Sequence, residues 1–525
     1  MGKQDFSQNN KRIAQNTLLL YCRMLLLMVV TLYTSRVVLS ALGIEDFGIY
    51  TIIGGVVTMF SMLTGSLSSA ISRFITYELG TGNQVKLKKI FSSAVTIQIV
   101  LGLIVTILAE VIGLWFLNNK MVIPHDRIIA ANWVLHLSLL TFIINLISVP
   151  YNAAIIAHEK MSAFAYISII DAAGKLCIAY FITISPTDKL IFYAIMMCLS
   201  AMITRLIYGV YCKRKFEECK YQFIWNKKLL KQMFEFAGWN FIGSSSALLR
   251  DQGGNIIINL FCGPTVNAAK GIANQVNAAV NSFVTNFMIA LNPQITKSYA
   301  SGNHKYMMML IFQGARLSYY MLLLLSLPII INTQYILTLW LKEVPNHTAL
   351  FVQSVLIFTM SESISTPLIT AMLATGNIRN YQIVVGGLQI MNLPISYILL
   401  RSGYIPESVI FVAIFISQCC LAARLIMLRN IIQLEIRQYL KKVYFNIIIV
   451  SLLSGILPII VSFYIKCTFI NFIILCFISL VNTSIVIFYI GCNKKERYLI
   501  SSKIKKYTKL VLTLIFSQFN CTFMK

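Results

Sequence analysis

The stretch GWNFIGSSSALLRDQGGNIIINLFCG, residues 238–263, is mostly apolar but carries Arg250 and Asp251 near its middle. A charged side chain at the centre of a membrane-spanning helix costs roughly 2.5–3.5 kcal/mol on insertion scales, so such residues usually face an interior cavity and serve a function. The polar, glycine-rich residues 252–254 follow directly. Such a break is tolerated at membrane depth only where the freed backbone is buried in protein or lines water. The stretch therefore predicts a spanning helix that forms one wall of a polar cavity.

The composition of the whole chain is typical of an all-α polytopic membrane protein. Of its 525 residues, 58% are hydrophobic and only 12% are charged. Apolar runs of about twenty residues, long enough to span a bilayer, recur from end to end. The N-terminal segment is polar and basic, and the apolar run after it is too long for the core of a cleavable signal. We therefore expect a multi-pass protein whose N-terminus remains in the cytoplasm.

Hydropathy along the chain predicts about fourteen transmembrane helices in three groups. The first six are predicted at 13–42, 48–79, 89–117, 128–157, 161–184 and 190–212. The next six are predicted at 238–262, 270–296, 306–332, 347–375, 379–400 and 407–429, and two more at 443–465 and 468–491. The predicted domains are an N-lobe at 1–212, a basic cytoplasmic linker at 213–237, a C-lobe at 238–430, two further helices within 431–491 and a basic cytoplasmic tail at 492–525.

Positively charged residues are distributed unequally between the two sides of this predicted topology. The termini and the even-numbered loops hold 29 lysines and arginines, whereas the odd-numbered loops, Lys270 among them, hold seven. Because lysine and arginine collect in cytoplasmic loops, both termini are predicted to be cytoplasmic. A basic face next to anionic lipid headgroups also explains most of the net charge of +26 without any binding of nucleic acid.

The predicted loops are too short for a folded domain outside the membrane, so the function must be carried out within it. The longest external connection is predicted at 333–346, and the sequence contains no phosphate-binding loop, no HExxH motif and no CxxC motif. The 12 cysteines are scattered mainly through apolar spans, which indicates buried free thiols rather than disulfides or a metal site. We expect no cofactor other than a coupling ion, H⁺ or Na⁺.

The two groups of six helices are related by an internal repeat. Four glycines align in pairs with an offset of 220 residues, Gly43 with Gly263 and Gly82 with Gly302. Farther along, the offset becomes 217, and PYNAAIIAHEK at 150–160 aligns with PLITAMLATGN at 367–377. Because each group has an even number of helices, both repeats start from the same side. This predicts parallel repeats about an axis along the membrane normal.

Three stretches of the sequence resemble one known family of transporters. They are KRIAQNTLLLYCRMLLLMVVTLYTSRVVLSALGIEDFGIYTIIGGVV at 11–57, SAISRFITYELGTGN at 69–83 and VPYNAAIIAHEKMSAFAYISI at 149–169. Over about residues 11–430 the chain resembles Wzx-type polysaccharide flippases, from the superfamily of multidrug and toxic-compound extrusion transporters and lipid II flippases. The resemblance implies two six-helix lobes around a central cavity and two extra C-terminal helices. It also implies movement of an undecaprenyl-diphosphate-linked oligosaccharide from the cytoplasmic to the outer leaflet by alternating access.

The charged residues within the predicted spans suit an anionic cargo. Eight cations, Arg23, Arg36, Arg73, Lys175, Arg205, Arg250, Arg316 and Arg424, stand against four acids, Glu110, Asp171, Asp251 and Glu362. A diphosphate offers several acceptor oxygens that guanidinium groups match bidentately. A transporter for cationic drugs would need the opposite balance.

Depth in the membrane separates the candidates for substrate binding. The residues predicted to line the substrate cavity are Arg23, Arg36, Lys175, Arg250 and Arg316. Of these, Arg23, Arg250 and Arg316 lie about ten to twelve residues into their spans, roughly 15–18 Å, too deep for easy snorkelling. The internal repeat places Arg250 opposite the helix of Arg23 and Arg36, so that the three would form a ladder across the cavity. Three arginines closer to the cytoplasmic end leave snorkelling open as an alternative to binding: Arg73, Arg205 and Arg424.

The acidic residues indicate ion pairing or coupling. Asp171 and Lys175 are four residues apart on one helix face, so a neutralising ion pair is an alternative to a cavity role. Asp251 points about 100° away from Arg250 and needs another partner, a basic residue or a coupling ion. Glu362, five residues before Pro367, is the best candidate for a proton or sodium site.

These observations favour a lipid-linked oligosaccharide flippase for a surface polysaccharide such as the O-antigen of lipopolysaccharide, a transporter and not an enzyme. Its expected partners are the lipid-linked oligosaccharide, membrane lipids and other polysaccharide assembly proteins. Two alternatives remain open: an ion-coupled antiporter for drugs or small molecules from the same superfamily, and a membrane glycosyltransferase or polysaccharide polymerase. The cationic interior argues against the first alternative, and the lack of a large external loop in the predicted topology argues against the second.

Overall fold

The computed structural model describes residues 3–501 apart from 60, 120–123, 186–187, 225, 342–343, 465–467, 495 and 499–500. The described residues are almost entirely helical and include no β-strand, which confirms the predicted all-α fold. From residue 502 onward, the predicted basic tail lies outside the described residues.

The N-lobe consists of helices that pack around α4. They are α1 (Lys3–Met59), α2 (Ser61–Thr81), α3 (Gln84–Asn119), α4 (Ile128–Ala157), α5 (Met161–Ile184) and α6 (Lys189–Lys215). Gly43 divides α1, because its φ of 81° and ψ of 170° break the helix. The part before Gly43 is the first span, and the part after it leads toward α2 as the second.

The C-lobe follows the same plan. It contains α7 (Lys227–Ala300), α8 (His304–Ile331), α9 (Thr333–Leu341), α10 (Thr348–Thr375), α11 (Arg379–Ile390), α12 (Asn392–Arg401) and α13 (Ser408–Ile432). Gly263 divides α7 with a φ of 79° and a ψ of 179°. Since α7 begins at Lys227, the second half of the predicted linker is helical and runs directly into the span that contains residues 238–262.

Two further spans follow the lobes. α14 (Ile436–Tyr439) leads through a π-helical turn into α15 (Phe445–Tyr464), and α16 (Phe469–Val486) ends in a second π-helical turn (Ile487–Gly491). Both α15 and α16 contact α8 of the C-lobe. With α1 and α7 each divided at a glycine, the described helices can be grouped as six helical stretches in each lobe and two that follow.

A weakly apolar helix lies where the lobes meet. Eleven helical segments in the described part of the chain are long and apolar enough to cross a membrane. Neither part of α7 is among them, and both parts are rich in asparagine and glycine. α2 packs along α7 at the contact between the lobes. A helix of low hydropathy therefore lies at this contact.

The internal repeat is visible in the backbone. The four glycines paired in the sequence all have positive φ values: Gly43 81°, Gly263 79°, Gly82 76° and Gly302 72°. A further pair, Glu159 with φ 58° and Gly376 with φ 80°, lies 217 residues apart at the ends of α4 and α10. Positive φ is uncommon for residues with a side chain, so these matches are specific. The predicted alignment of the two lobes is confirmed.

The two lobes are joined at one face of the membrane. We name the face that holds the turns at Gly82, Glu159, Gly302 and Gly376 the basic face, and the other the opposite face. Near the basic face, buried apolar residues of both lobes form one continuous cluster. Toward the opposite face, buried apolar residues of the N-lobe form two separate clusters instead. The described core therefore closes the molecule at the basic face.

Candidate functional site

A cavity of about 590 Å³, with both polar and apolar walls, lies inside the N-lobe between α1, α4, α5 and α6. Its lining includes Arg23, Asp171 and Lys175 together with threonine, serine, asparagine and tyrosine side chains. The structure therefore brings three of the predicted site residues into one cavity. This cavity is enclosed by a single lobe and does not lie between the two.

Asp171 is neutralised within the wall of this N-lobe cavity. Lys175 Nζ donates a hydrogen bond to Asp171 Oδ2 at 2.7 Å, and Thr204 Oγ1 donates to Asp171 Oδ1 at 3.2 Å. This is the ion pair that the sequence left open as an alternative. Because the pair has no net charge, the net charge of the described lining comes from Arg23.

Arg23 is held by stacking rather than by a carboxylate. Its guanidinium carbon lies 4.2 Å from the centroid of the Phe164 ring. Within the described residues it forms no ion pair, and its buried Nε has no hydrogen-bond partner. A guanidinium stacked on an aromatic face still has its N–H donors directed outward from its edges. The N–H groups of Arg23 are therefore placed where they could donate hydrogen bonds to an anion in this cavity. Arg36 lies farther along α1, but its side chain is outside the described residues.

A second cavity, of about 630 Å³, lies between the lobes. Its walls come from α2 and α4 of the N-lobe and from α7 and α10 of the C-lobe. The described polar lining consists of Ser68, Ser69, Ser72, Thr76, Asn152, Thr285, Asn292, Thr296 and Thr370, with Arg73 as its one charged residue. Asn152 also lines the N-lobe cavity, so the two cavities are neighbours.

A third cavity, of about 660 Å³, opens at the basic face. The charged residues that line it are Arg73, Lys86, Arg379, Glu78 and Glu235. Arg73 lines both this cavity and the one between the lobes. Through these shared lining residues the three cavities lie next to one another in series, from the basic face to the interior of the N-lobe, with Arg73 and Asn152 at the boundaries between them.

Arg73 lies at the junction of two of these cavities. Its Nη2 donates a hydrogen bond to the carbonyl oxygen of Ala374 in the C-lobe at 3.0 Å. Its guanidinium carbon also lies 4.7 Å from the Tyr77 ring centroid and 4.8 Å from that of Phe74. The sequence left snorkelling and binding open for this residue. The structure shows an arginine that bridges the lobes beside a polar cavity.

Arg250 does not line any of these cavities. Its Nε donates to Oδ1 of the adjacent Asp251 at 2.8 Å, and its guanidinium lies 5.0 Å from the Phe358 ring centroid in α10. The side chain of Arg250 is only 11% exposed. The predicted ladder of Arg250 with Arg23 is therefore wrong, because Arg250 turns into the C-lobe.

The glycines after Asp251 also have a different role from the one predicted. The helix continues through residues 252–254 without a break. A Cβ on Gly253 would lie 2.4 Å from a methyl group of Leu393, and one on Gly254 would lie 3.1 Å from Lys270 Nζ. These glycines allow close helix packing and do not expose backbone to a cavity. Lys270, predicted in an external loop, is buried within α7 and interacts electrostatically with Asp251.

The structure also places Arg316 away from the cavities, which corrects the prediction for this residue. Its Nη2 donates to Glu496 Oε1 at 2.7 Å, and its Nη1 donates to the carbonyl oxygen of Gly491 at 3.1 Å. Arg316 thus connects α8 to the end of the last span. Sequence reasoning missed this contact because Glu496 lies within a basic segment 180 residues away.

Glu362 lies in a polar cluster inside the C-lobe. Ser417 Oγ donates to Glu362 Oε1 at 2.6 Å, and the carboxylate interacts electrostatically with Arg250 and Arg424. Arg424, for which the sequence leaves snorkelling open as an alternative to binding, is 1% exposed, and its Nε donates to Tyr381 Oη at 3.4 Å. In the described residues, no group of three His, Cys, Asp or Glu side chains could hold a metal ion. Proton or sodium coupling at Glu362 stays a prediction.

Solved structures with the same fold are transporters. An outward-facing multidrug resistance MATE family transporter of the MOP superfamily has a TM-score of 0.69 and 13% identity, over 81% of this chain and 96% of that one. A MOP superfamily transporter from Pyrococcus furiosus has a TM-score of 0.67 and 13% identity, over the same shares of 81% and 96%. At this identity the likeness shows the fold, with its two lobes.

The family is shown by a match over more than half of the sequence. No curated protein matches the chain significantly. A family model described as polysaccharide biosynthesis protein matches residues 11–299, which include Arg23, Arg73 and the N-lobe cavity. The resemblance stated from the sequence is thereby confirmed, and the chain belongs to this family of polysaccharide biosynthesis proteins, with the fold of MOP superfamily transporters.

Proposed function

We propose that the chain is a flippase that moves an undecaprenyl-diphosphate-linked oligosaccharide from the inner to the outer leaflet of the bacterial cytoplasmic membrane. It does so by alternating access and serves the assembly of a surface polysaccharide. The observation that carries the proposal is the series of three cavities, whose described charged lining residues are five cations and three acids.

The chemistry of the cavities fits the two parts of such a substrate. Arginine donates two parallel hydrogen bonds to phosphate oxygens, and Arg23 and Arg73 both lie against aromatic rings and form no ion pair within 4.0 Å in the described residues. The serine, threonine and asparagine side chains between the lobes offer neutral hydrogen-bond groups of the kind that sugar hydroxyls use. A cationic anchor with a polar chamber suits a glycan linked to a diphosphate.

The alternative is an ion-coupled antiporter for drugs. It is supported by the fold, because one solved relative is a multidrug resistance transporter. A cationic drug would be repelled by the excess of positive charge along the cavities. The Pyrococcus furiosus transporter, for comparison, is described as having a binding pocket of reversed polarity that suggests a different function.

Transport by the purified full-length chain in proteoliposomes separates the two functions. We expect the protein to move a fluorescent oligosaccharide linked to undecaprenyl diphosphate between leaflets, measured by its accessibility to an impermeant quencher. We expect no efflux of the cationic dye ethidium under a proton or sodium gradient. Dye efflux without glycan movement would replace the flippase by the antiporter. In cells, deletion of the gene should trap the lipid-linked glycan on the inner leaflet.

The proposal also requires that the basic face is cytoplasmic. Cysteine labels at Asn83 and Lys220 should then react only from the cytoplasm, and a label at Asn346 only from outside. Reaction of the Lys220 position with an impermeant reagent in intact cells would reverse the proposed direction of transport.

A further inference from the structure

Glu159 connects the two lobes at the basic face. It lies in the turn between α4 and α5, and its side chain is 1% exposed. Its carboxylate accepts hydrogen bonds from Gln294 Nε2 at 2.5 Å and from Lys297 Nζ at 2.7 Å, both in the C-lobe. Arg12 Nη2, from the start of α1, lies 2.8 Å from the same carboxylate. Two cations and one amide therefore surround one acidic group.

The backbone of Glu159 is held in an unfavourable conformation. Its φ of 58° lies in the left-handed region, where a residue with a side chain is destabilised by roughly 1–2 kcal/mol. Gly376, at the equivalent position of the C-lobe, also has a positive φ, which a glycine adopts without this strain. The strain and the burial of a carboxylate are both unfavourable, so the contacts to Gln294 and Lys297 must offset them in this closed arrangement.

Opening of the basic face must break these contacts. Gln294 and Lys297 belong to the C-lobe, whereas Glu159 and Arg12 belong to the N-lobe. When the lobes separate, Glu159 keeps Arg12 as its partner. Lys297 and Gln294 lie three residues apart on one face of α7, and they would be left without an acceptor. Opening therefore loses two charge-assisted hydrogen bonds, and an anion that takes the place of Glu159 would stabilise the open arrangement.

We propose that Gln294 and Lys297 form a binding site for a phosphate group of the substrate, which Glu159 occupies while the basic face is closed. Carboxylate and phosphate oxygens accept hydrogen bonds from the same donors at similar distances, so one can replace the other. Binding of the anionic lipid thereby favours the open state, because the substrate interacts with Lys297 only in that state. The inference rests on the proposed function, since it assumes a lipid diphosphate as cargo.

The proposal makes two variants change affinity in opposite directions. Glu159→Gln weakens the internal competitor, so undecaprenyl diphosphate should bind about tenfold more tightly. Lys297→Met removes the charge that both anions use, so binding should weaken by about tenfold or more. If Glu159 and Lys297 only held the lobes together, both variants would release the same contact and shift the affinity in the same direction.

The measurement is the dissociation constant of undecaprenyl diphosphate for the full-length chain in nanodiscs. Glu407→Gln is the matched control, because Glu407 is also buried and pairs at 2.8 Å with His347, within the C-lobe. It should leave the affinity unchanged. Glu159→Gly keeps the left-handed turn without strain, so it should fold well and also bind more tightly.

Three further ligands identify the source of the phosphate. Undecaprenol, which lacks phosphate, should bind wild type and Glu159→Gln with the same dissociation constant. Phosphatidylglycerol in the nanodisc should likewise show no difference in binding between the two proteins. Inorganic pyrophosphate should show the same opposite shifts at lower affinity. If the affinity for undecaprenyl diphosphate shifts in the same direction in Glu159→Gln and Lys297→Met, the inference is overturned. The proposed function still stands in that case if the wild type transports the glycan. A wild type that neither binds undecaprenyl diphosphate nor moves the glycan would remove both.

Discussion

Among single residues, Arg23 has the clearest counterpart for a controlled test. Both Arg23 and Arg205 lie in N-lobe spans and stack on an aromatic ring, Arg23 over Phe164 at 4.2 Å and Arg205 over Tyr151 at 3.9 Å. Only Arg23 lines one of the described cavities. The pair therefore separates loss of a cavity charge from loss of a stacked arginine.

We predict that Arg23→Gln lowers the affinity for undecaprenyl diphosphate about ten- to hundredfold, since one charge-assisted contact is worth roughly 1.5–3 kcal/mol. Export of surface glycan should fall accordingly in a strain that lacks the wild-type gene. Arg23→Lys keeps the charge but not the bidentate geometry and should be partly active. Arg205→Gln should export normally at equal protein levels; equal defects in the two variants would contradict a binding role for Arg23.

A buried carboxylate at the basic face, Glu218, should make stability depend on pH. His158 Nε2 and Glu218 Oε1 lie 2.5 Å apart, and the His158 ring stacks on Phe216 at 4.1 Å. Burial, the largest single influence, would raise the pKa of Glu218, but the hydrogen bond with His158, a backbone hydrogen bond and the electrostatic interaction with His158 together outweigh it, and the pKa is lowered. A lowered carboxyl pKa stabilises the fold above the unfolded-state value of about 4.3, and this stabilisation is lost as pH falls through the folded-state pKa.

We therefore predict that Glu218→Gln lowers the Tm of the detergent-solubilised protein at pH 7. The difference from wild type should shrink as the pH falls below about 4. Thermal unfolding at a series of pH values measures it. A difference that stays constant down to pH 3 would mean that the charge of Glu218 contributes nothing to stability.

Which residues share a cavity could be predicted only in part. The sequence predicts Arg23, Lys175 and Asp171 as cavity residues, because a charged side chain deep in the membrane is costly and usually faces the interior. It could not predict that Arg250 turns toward Phe358, since that depends on the rotation of α7 about its axis. The partner of Arg316 is equally hidden, because Glu496 is brought to it only by the packing of the last span on α8.

Among the helices, the divisions at Gly43 and Gly263 define the plan of each lobe. A Cβ on either glycine would have nothing within 4 Å, so space is not what excludes a side chain. Their backbone angles, with ψ near 180° and positive φ, belong to a region that is essentially restricted to glycine. The conformation alone therefore requires glycine.

We predict that Gly263→Ala destabilises the protein by about 1–3 kcal/mol. Gly271→Ala is the matched control, because Gly271 lies in the same helix, also has open space around it and has ordinary helical angles. That change should be neutral or stabilise by about 0.4–1 kcal/mol. The measurement is the free energy of unfolding of the two variants, by denaturant or heat. Equal stabilities would show that a side chain at position 263 does not strain the backbone.

The all-helical fold was predictable from the sequence, whereas the behaviour of glycine within the helices was not. Apolar length set the spans, and the repeat aligned the two lobes correctly. The sequence Gly253-Gly254 predicts a break, but in the structure these glycines allow the side chains of Leu393 and Lys270 to pack directly against the backbone of the helix. A glycine at a helix contact and a glycine at a helix break look alike in one sequence, because both are defined by the absent side chain.

For the molecule as a whole, Gly80 sets how closely the lobes approach at the basic face. A Cβ on Gly80 would lie 2.7 Å from the Cβ of Ala300 and 2.9 Å from the carbonyl oxygen of Lys297. The contact joins α2 to the end of α7, beside the hydrogen bonds of Glu159. A larger side chain at this position must push the two lobes apart.

We predict that Gly80→Leu opens the basic face. Ser72→Cys, which lines the cavity between the lobes, should then react with an impermeant thiol reagent added on the basic face, with modification at residue 72 read by mass spectrometry. In the background without Gly80→Leu, the same position should be protected from that side. Gly238→Leu is the control, because a Cβ there meets nothing within 4 Å. Protection that persists in Gly80→Leu would show that other contacts keep the face closed.

The two lobes and their order in the chain could be predicted from the sequence. The sequence could not predict at which face of the molecule the two lobes are in contact. Composition, the repeat and the family resemblance all describe features that every state of a transporter shares. The choice between states depends on small differences between contacts such as Glu159 with Lys297 and Arg73 with Ala374. Those pairs join residues 138 and 301 positions apart, and no local pattern signals them.

The strained turn at Glu159 has a practical consequence for anyone who selects heat-resistant forms of this protein. Glycine already occupies the equivalent turn at Gly376, so a screen for stability has a ready route to the same solution at position 159. Such a variant would survive purification better, and it would have lost the carboxylate that competes with the cargo. A collection of robust variants would then be biased toward transporters that hold their lipid too tightly to release it, and stability would be a poor guide to performance.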